Sequence, residues 1–209
     1  MNQNNSASSW VFIGYGLIVF LSSACLLIIE MTASRLLAPY VGVSLYTWTA
    51  IIGVILAGLS LGNWLGGVLA DRGYRHPTVA WTLMAGGLFT LCIPQLLLIS
   101  ASWLQGQSLT LVTASVMYVS ILFLIPAVVI GIVTPLLTTL ALAISIRAGH
   151  IVGGLHAVAA VGSIVGTFAA GFWLIPWLGT RWVILASGIL LLVMGLVFWP
   201  LNHVEIPWY

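Results

Sequence analysis

Charged side chains are too rare in this chain to cover a water-soluble protein. The 209 residues include five basic side chains, all arginine, and three acidic ones. Charged residues make up 4% and hydrophobic residues 62% of the sequence, whereas a soluble domain carries roughly a quarter charged residues. We therefore predict that lipid solvates most of the surface and that the chain is an all-α, polytopic membrane protein.

Apolar stretches predict about six transmembrane helices, because about 20 apolar residues cross roughly 30 Å of hydrocarbon. The predicted spans are residues 10–37, 46–70, 78–100, 109–146, 151–178 and 182–201. They form a single transmembrane domain, 10–201, between a polar N-terminal tail, 1–9, and a short C-terminal tail, 202–209.

Prolines mark the predicted ends and breaks of these spans. Pro39 is expected to help end the first span, and Pro94 to kink the third. The fourth span is long for one helix, and Pro126, Gly131 and Pro135 interrupt it. We interpret it as one broken helix. Seven spans result if it divides in two.

We expect the chain to lie in the cell (inner or plasma) membrane. The arginines favour a cytoplasmic N-terminus, because basic loops stay in the cytoplasm. With six spans, Arg72, Arg75 and Arg147 lie in cytoplasmic loops. Arg35 and Arg181 then lie on the outer side.

Two spans carry stripes of small residues. Gly58, Gly62 and Gly66 recur every four residues in the second span, and Gly162 and Gly166 repeat the spacing in the fifth. Such stripes let another helix approach closely. They predict helix packing, although a transport path would use the same residues.

Glu30 is the most costly residue at membrane depth, because an ionised carboxylate is disfavoured there by about 2.5–3.5 kcal/mol. Arg35 lies five positions on, about 140° around the helix, so each is expected to meet a group on another helix. Glu30 is either a polar or proton-coupled site, or a structural ion pair or protonated carboxylate.

Further polar side chains at membrane depth are Asn63, Gln95 and His156. Asn63 and Gln95 need partners, which we expect across helices. His156 is more typical of a hydrogen-bonded core residue than of a ligand. The spacing of histidine, cysteine and acidic residues predicts no metal site, no cofactor and no catalytic residue, and the charge pattern does not suggest nucleic acid.

The segment Gly67–His76 resembles the cytoplasmic loop signature of the major facilitator superfamily. The matching residues are Asp71, Arg72, Gly73 and Arg75, while His76 stands where that family usually has a fixed cation. A plain basic turn that follows the positive-inside rule is the alternative interpretation.

Four segments, in order, are similar to the transmembrane region of membrane-bound spermidine synthase-like proteins, the fused facilitator/spermidine synthase group. They are Leu27–Gly42, Gly58–Arg72, Ile125–Leu137 and Gly162–Gly179. The resemblance implies half of a major facilitator bundle, joined on its cytoplasmic side to an aminopropyltransferase-like domain. The sequence ends at Tyr209 without that domain, so we expect no catalysis by this chain alone.

Three functions follow as hypotheses. The chain is a membrane accessory or scaffold subunit that anchors or serves a separate aminopropyltransferase-like enzyme. Alternatively, it is a small-molecule transporter that pairs with itself as a dimer of six-helix halves. The third alternative is a structural subunit of a larger membrane complex.

Overall fold

A computed structural model describes residues 3–73, 76–104, 106–143 and 148–199, and every regular element in these ranges is helical. The first three helices are α1 (Gln3–Val41), α2 (Leu45–Asp71) and α3 (His76–Leu104). A broken stretch follows, with α4 (Leu111–Val119), a first π-helical turn (Ser120–Leu124), α5 (Ile125–Gly131) and α6 (Val133–Leu142). The last stretch contains α7 (Ala148–Ala169), a second π-helical turn (Ala170–Leu174) and α8 (Ile175–Phe198).

Five stretches within these ranges are long and apolar enough to cross a membrane. They are Val11–Val41, Leu45–Asp71, His76–Leu104, Leu111–Leu142 and Ala148–Phe198, with mean hydropathies between 1.8 and 2.7. The all-helical prediction is thus confirmed, and the stretches fit a multi-pass membrane protein. The fifth stretch covers the region of two predicted spans.

That fifth stretch contains a break at Gly179. Its 51 residues would form a rod of roughly 75 Å as one straight helix, far longer than a bilayer is thick. Gly179 instead has φ 76° and ψ 162°, which no helix contains. The parts on either side pack on different partners, α7 mainly on α1 and the later part of α8 on α3.

Both π-helical turns end directly before an Ile-Pro pair, Ile125-Pro126 and Ile175-Pro176. Proline has no N–H, and its ring clashes with the carbonyl four residues earlier. The backbone therefore widens in the preceding turn. The same effect from Pro135 reaches Gly131, and a single turn residue, Ile132, separates α5 from α6 while its φ of −64° and ψ of −28° stay helical. The predicted interruptions exist, and those caused by Pro126 and Pro135 are displaced toward the N-terminus.

Helix ends differ in detail from the prediction. Pro39 does not end α1, which continues to Val41. The helix stops at Gly42, where φ is 70° and the N–H donates to the carbonyl of Ala38 at 3.0 Å. α3 contains Pro94 and ends at Leu104, beyond residue 100 where the predicted span ended. α1 begins at Gln3, inside the predicted N-terminal tail, and the predicted C-terminal tail lies outside the described residues.

Glycines set the closest helix contacts. On α2, Gly58, Gly62 and Gly66 lie against α5 and the start of α6. On α7, Gly162 and Gly166 lie against the backbone of Phe20 and Ala24 in α1. A side chain at any of these five glycines would collide with a neighbouring helix.

Candidate functional site

The polar residues predicted at membrane depth lie on four helices. Glu30 is half-buried on α1 and Arg35 is exposed on the same helix. Asn63 on α2, Gln95 on α3 and His156 on α7 are all exposed. Among the described residues, none of the five has a hydrogen bond or an ion pair with another. They therefore do not form one shared polar cluster.

Glu30 lies at the edge of the apolar core. Its neighbours Ile29 and Ala33 are buried, at 2% and 0% exposure. The nearby hydroxyls are already used by the helix backbone, because Thr32 Oγ1 donates to the Ile28 carbonyl at 2.6 Å and Ser34 Oγ to the Met31 carbonyl at 3.1 Å. The local sequence thus provides no side-chain donor for the carboxyl group of Glu30.

Arg35 opens onto a cavity of about 340 Å³, which the sequence did not predict. The cavity lies where α1, the first turn of α2, the second π-helical turn and the start of α8 meet. Its lining residues are Met31, Ser34, Arg35, Trp48, Gly171, Ile175 and Pro176. Pro176 and the widened turn before it are the sequence signal for this space, since they prevent regular close packing there.

The opposite end of the bundle holds an aromatic cluster of Tyr15, His76 and Phe198, which joins α1, α3 and α8. The Tyr15 hydroxyl is 3.3 Å from Nε2 of His76. The His76 ring centroid is 5.9 Å from that of Tyr15 and 5.7 Å from that of Phe198. His76, which the loop signature aligns with a cation, is therefore a buried packing residue in this fold.

The loop between α2 and α3 is described as far as Gly73. Asp71 and Arg72 are exposed, and Gly73 adopts φ 78° while its N–H donates to the Ala70 carbonyl at 3.0 Å. This left-handed conformation explains the glycine in the signature. Arg75 lies outside the described residues.

A second buried tyrosine contrasts with Tyr15. Tyr118 on α4 is 2% exposed, and its ring centroid is 5.8 Å from that of Tyr40 on α1. Its hydroxyl has no hydrogen-bond partner among the described residues. In the same ranges, no three histidine, cysteine or acidic side chains form a group that could hold a metal ion.

One similarity to a curated protein covers most of the chain. The sequence is 29% identical over 185 residues to polyamine aminopropyltransferase 1 of Streptomyces coelicolor. The similarity covers 87% of this chain and 32% of that protein, so the chain spans about a third of its relative's length. No family model matches the sequence. No solved structure matches it either.

Proposed function

We propose that this chain is the membrane part of an aminopropyltransferase-like system, and that it anchors or serves a separately encoded catalytic partner. The observation that carries the proposal is the similarity to an aminopropyltransferase over 87% of this chain. The four segments that resemble membrane-bound spermidine synthase-like proteins lie within a helical region rich in apolar residues, which suits an anchor.

The proposal includes six membrane crossings, arranged like half of a major facilitator bundle with a cytoplasmic N-terminus. The non-helical backbone at Gly179 supports division of the fifth apolar stretch into two crossings. The cytoplasmic end then holds the exposed Asp71 and Arg72 at the end of α2, and Tyr15, His76 and Phe198 beside it. We propose this end as the face that receives the partner.

Co-purification of the full chain from native membranes in a mild detergent tests the proposal. We expect an aminopropyltransferase-like protein to be recovered and cross-linked to the α2–α3 end. The double variant Asp71→Asn/Arg72→Gln should lower the recovery, whereas Arg181→Gln, which also removes an exposed arginine, should not. Preparations that retain the folded chain but contain no such protein would contradict the proposal.

The second candidate is a transporter of small amines built as a dimer. Two observations favour it. Glu30 is half-buried without a hydrogen-bond partner among the described residues. A Cβ atom added at Gly149 or Gly153 on α7 would have no atom within 4 Å. An acidic residue can compensate the charge of a cationic amine, and a smooth glycine surface lets a second copy approach.

Uptake of a polyamine into proteoliposomes tests this second candidate. Glu30→Gln should abolish uptake, and Glu30→Asp should retain part of it because the carboxyl group remains. Equal rates in the wild type and Glu30→Gln would remove Glu30 from the mechanism. Native mass spectrometry of the same preparation separates a dimer from the third alternative, a subunit of a larger membrane complex.

A further inference from the structure

We infer that the Arg35 cavity binds a phosphate group, and that the phosphate belongs to a membrane phospholipid. The cavity is formed by three separate parts of the chain: α1, the start of α2, and the segment from the second π-helical turn into α8. Its volume of about 340 Å³ lies at the lower end of the range typical of small-ligand sites.

The charge in the cavity is uncompensated by the described residues. Arg35 has no hydrogen bond or ion pair with any of them, although its guanidinium group carries five N–H donors. Glu30 projects about 140° away around α1. Asp71 lies at the far end of α2 from Trp48, roughly 35 Å along the helix at 1.5 Å per residue.

A guanidinium group in such a place favours an oxyanion. Its planar donors match two oxygens of a phosphate at once, and the bond is charge-assisted. Trp48 in the cavity wall contributes an indole, whose N–H can act only as a donor. The Ser34 hydroxyl already donates to the Met31 carbonyl, so Arg35 is the main donor and the natural target for mutation.

The position of the cavity along the bundle selects a lipid as the source of the phosphate. Arg35 lies six residues before the end of α1, about 9 Å, and Trp48 lies within the first turn of α2. Close in sequence to Pro176 of the cavity wall, Trp177 and Trp182 are 82% and 66% exposed on either side of Gly179. Exposed tryptophans mark the level of lipid headgroups, where an arginine side chain can reach phosphate.

Native mass spectrometry of the purified full chain, titrated with phosphatidylglycerol, tests the inference. Loss of a charge-assisted contact should weaken binding by about tenfold in Arg35→Gln, while Arg35→Lys should retain part of the affinity. Arg181→Gln is the matched control, because it removes an exposed arginine near Gly179 but outside the cavity.

Gly171→Leu provides a second variant that leaves Arg35 in place. A Cβ atom at Gly171, which lines the cavity, would meet nothing within 4 Å, so a side chain can begin there without a collision, and leucine is chosen to occupy the cavity. We expect this variant to lose phosphatidylglycerol binding while it keeps the melting temperature of the wild-type protein.

Competition with inorganic phosphate at constant ionic strength separates the two sources of the ligand. Retained lipid binding in excess phosphate supports the lipid as the ligand. If inorganic phosphate displaces the lipid, and this displacement requires Arg35, then a free phosphate is enough to occupy the site. The phosphate site is then kept, but its ligand is no longer assigned to a lipid. Equal lipid affinity in the wild type, Arg35→Gln and Gly171→Leu would overturn the inference.

Discussion

Gly62 of α2 and Gly131 of α5 face each other at the closest approach of these two helices. A Cβ atom on Gly62 would lie 2.9 Å from the Cα atom of Gly131, and a Cβ atom on Gly131 would lie 3.2 Å from the Cα atom of Gly62. Real side chains do not tolerate the first distance. Gly62 therefore cannot carry a side chain while the helices remain in contact, whereas a side chain at Gly131 would require its neighbours to shift by a few tenths of an ångström.

This contact predicts that Gly62→Ala lowers the free energy of unfolding by about 1–3 kcal/mol, because the methyl group forces α2 and α5 apart. Thermal unfolding in detergent measures the change. Gly67→Ala on the same helix is the control, since a Cβ atom there has nothing within 4 Å. It should leave the stability unchanged or raise it by up to about 1 kcal/mol. Equal effects at the two positions would refute the packing argument.

The backbone conformation of Gly179 predicts that a substitution there destabilises the protein even though a side chain would have room. Nothing lies within 4 Å of a Cβ atom at this position, but φ 76° with ψ 162° is a region used almost only by glycine. We expect Gly179→Ala to destabilise the protein by about 1–3 kcal/mol. Gly67→Ala, which has the same open surroundings on a regular helix, is again the control and should not destabilise the protein in the same thermal unfolding measurement.

Two buried tyrosines predict opposite responses to the same substitution. Tyr15→Phe removes a hydroxyl that lies 3.3 Å from Nε2 of His76, so it should lower the free energy of unfolding by about 0.5–1.5 kcal/mol. Tyr118→Phe removes a hydroxyl that has no partner among the described residues, so it should be neutral or stabilising. Chemical unfolding of both variants measures these changes in the free energy of unfolding. A larger loss at Tyr118 than at Tyr15 would mean that the Tyr118 hydroxyl has a partner.

The proposed six crossings predict where single cysteines react with a charged thiol reagent. In a background with Cys25→Ala and Cys92→Ala, we expect Gly106→Cys and Arg181→Cys to react from one side of the membrane and Arg72→Cys from the other. All three positions are exposed. If the fifth apolar stretch instead crossed once, Arg181→Cys would lie within the lipid and stay unlabelled.

Much of the fold follows from hydropathy along the sequence. The second span, predicted at 46–70, is the helix Leu45–Asp71, and the third, predicted at 78–100, is His76–Leu104. Such bounds are predictable because the contrast between apolar and polar residues marks where the hydrocarbon ends. The breaks were displaced by about one turn, because Pro126 acts on the residues before it.

The sites were less predictable, since they depend on which helices meet. The Arg35 cavity requires Trp48 and Pro176, which are far apart in the sequence, to lie beside Arg35. His76 belongs to an aromatic cluster because α1 and α8 pass next to it, a fact that the α2–α3 loop signature does not contain. Asn63 and Gln95 were expected to meet partners across helices, and the structure places both on the surface.

The two π-helical turns that precede the Ile-Pro pairs are also places where the bundle can bend more easily than α2. Each proline has already removed one amide from the hydrogen-bond ladder, so a change of tilt there breaks fewer bonds than in α2, which contains no proline. A change in the tilt of these helix ends would therefore have its hinges at Pro126 and Pro176. Since Pro176 is also part of the Arg35 cavity wall, each change of tilt at that hinge would reshape the cavity, and a molecule seated in it would restrain the motion.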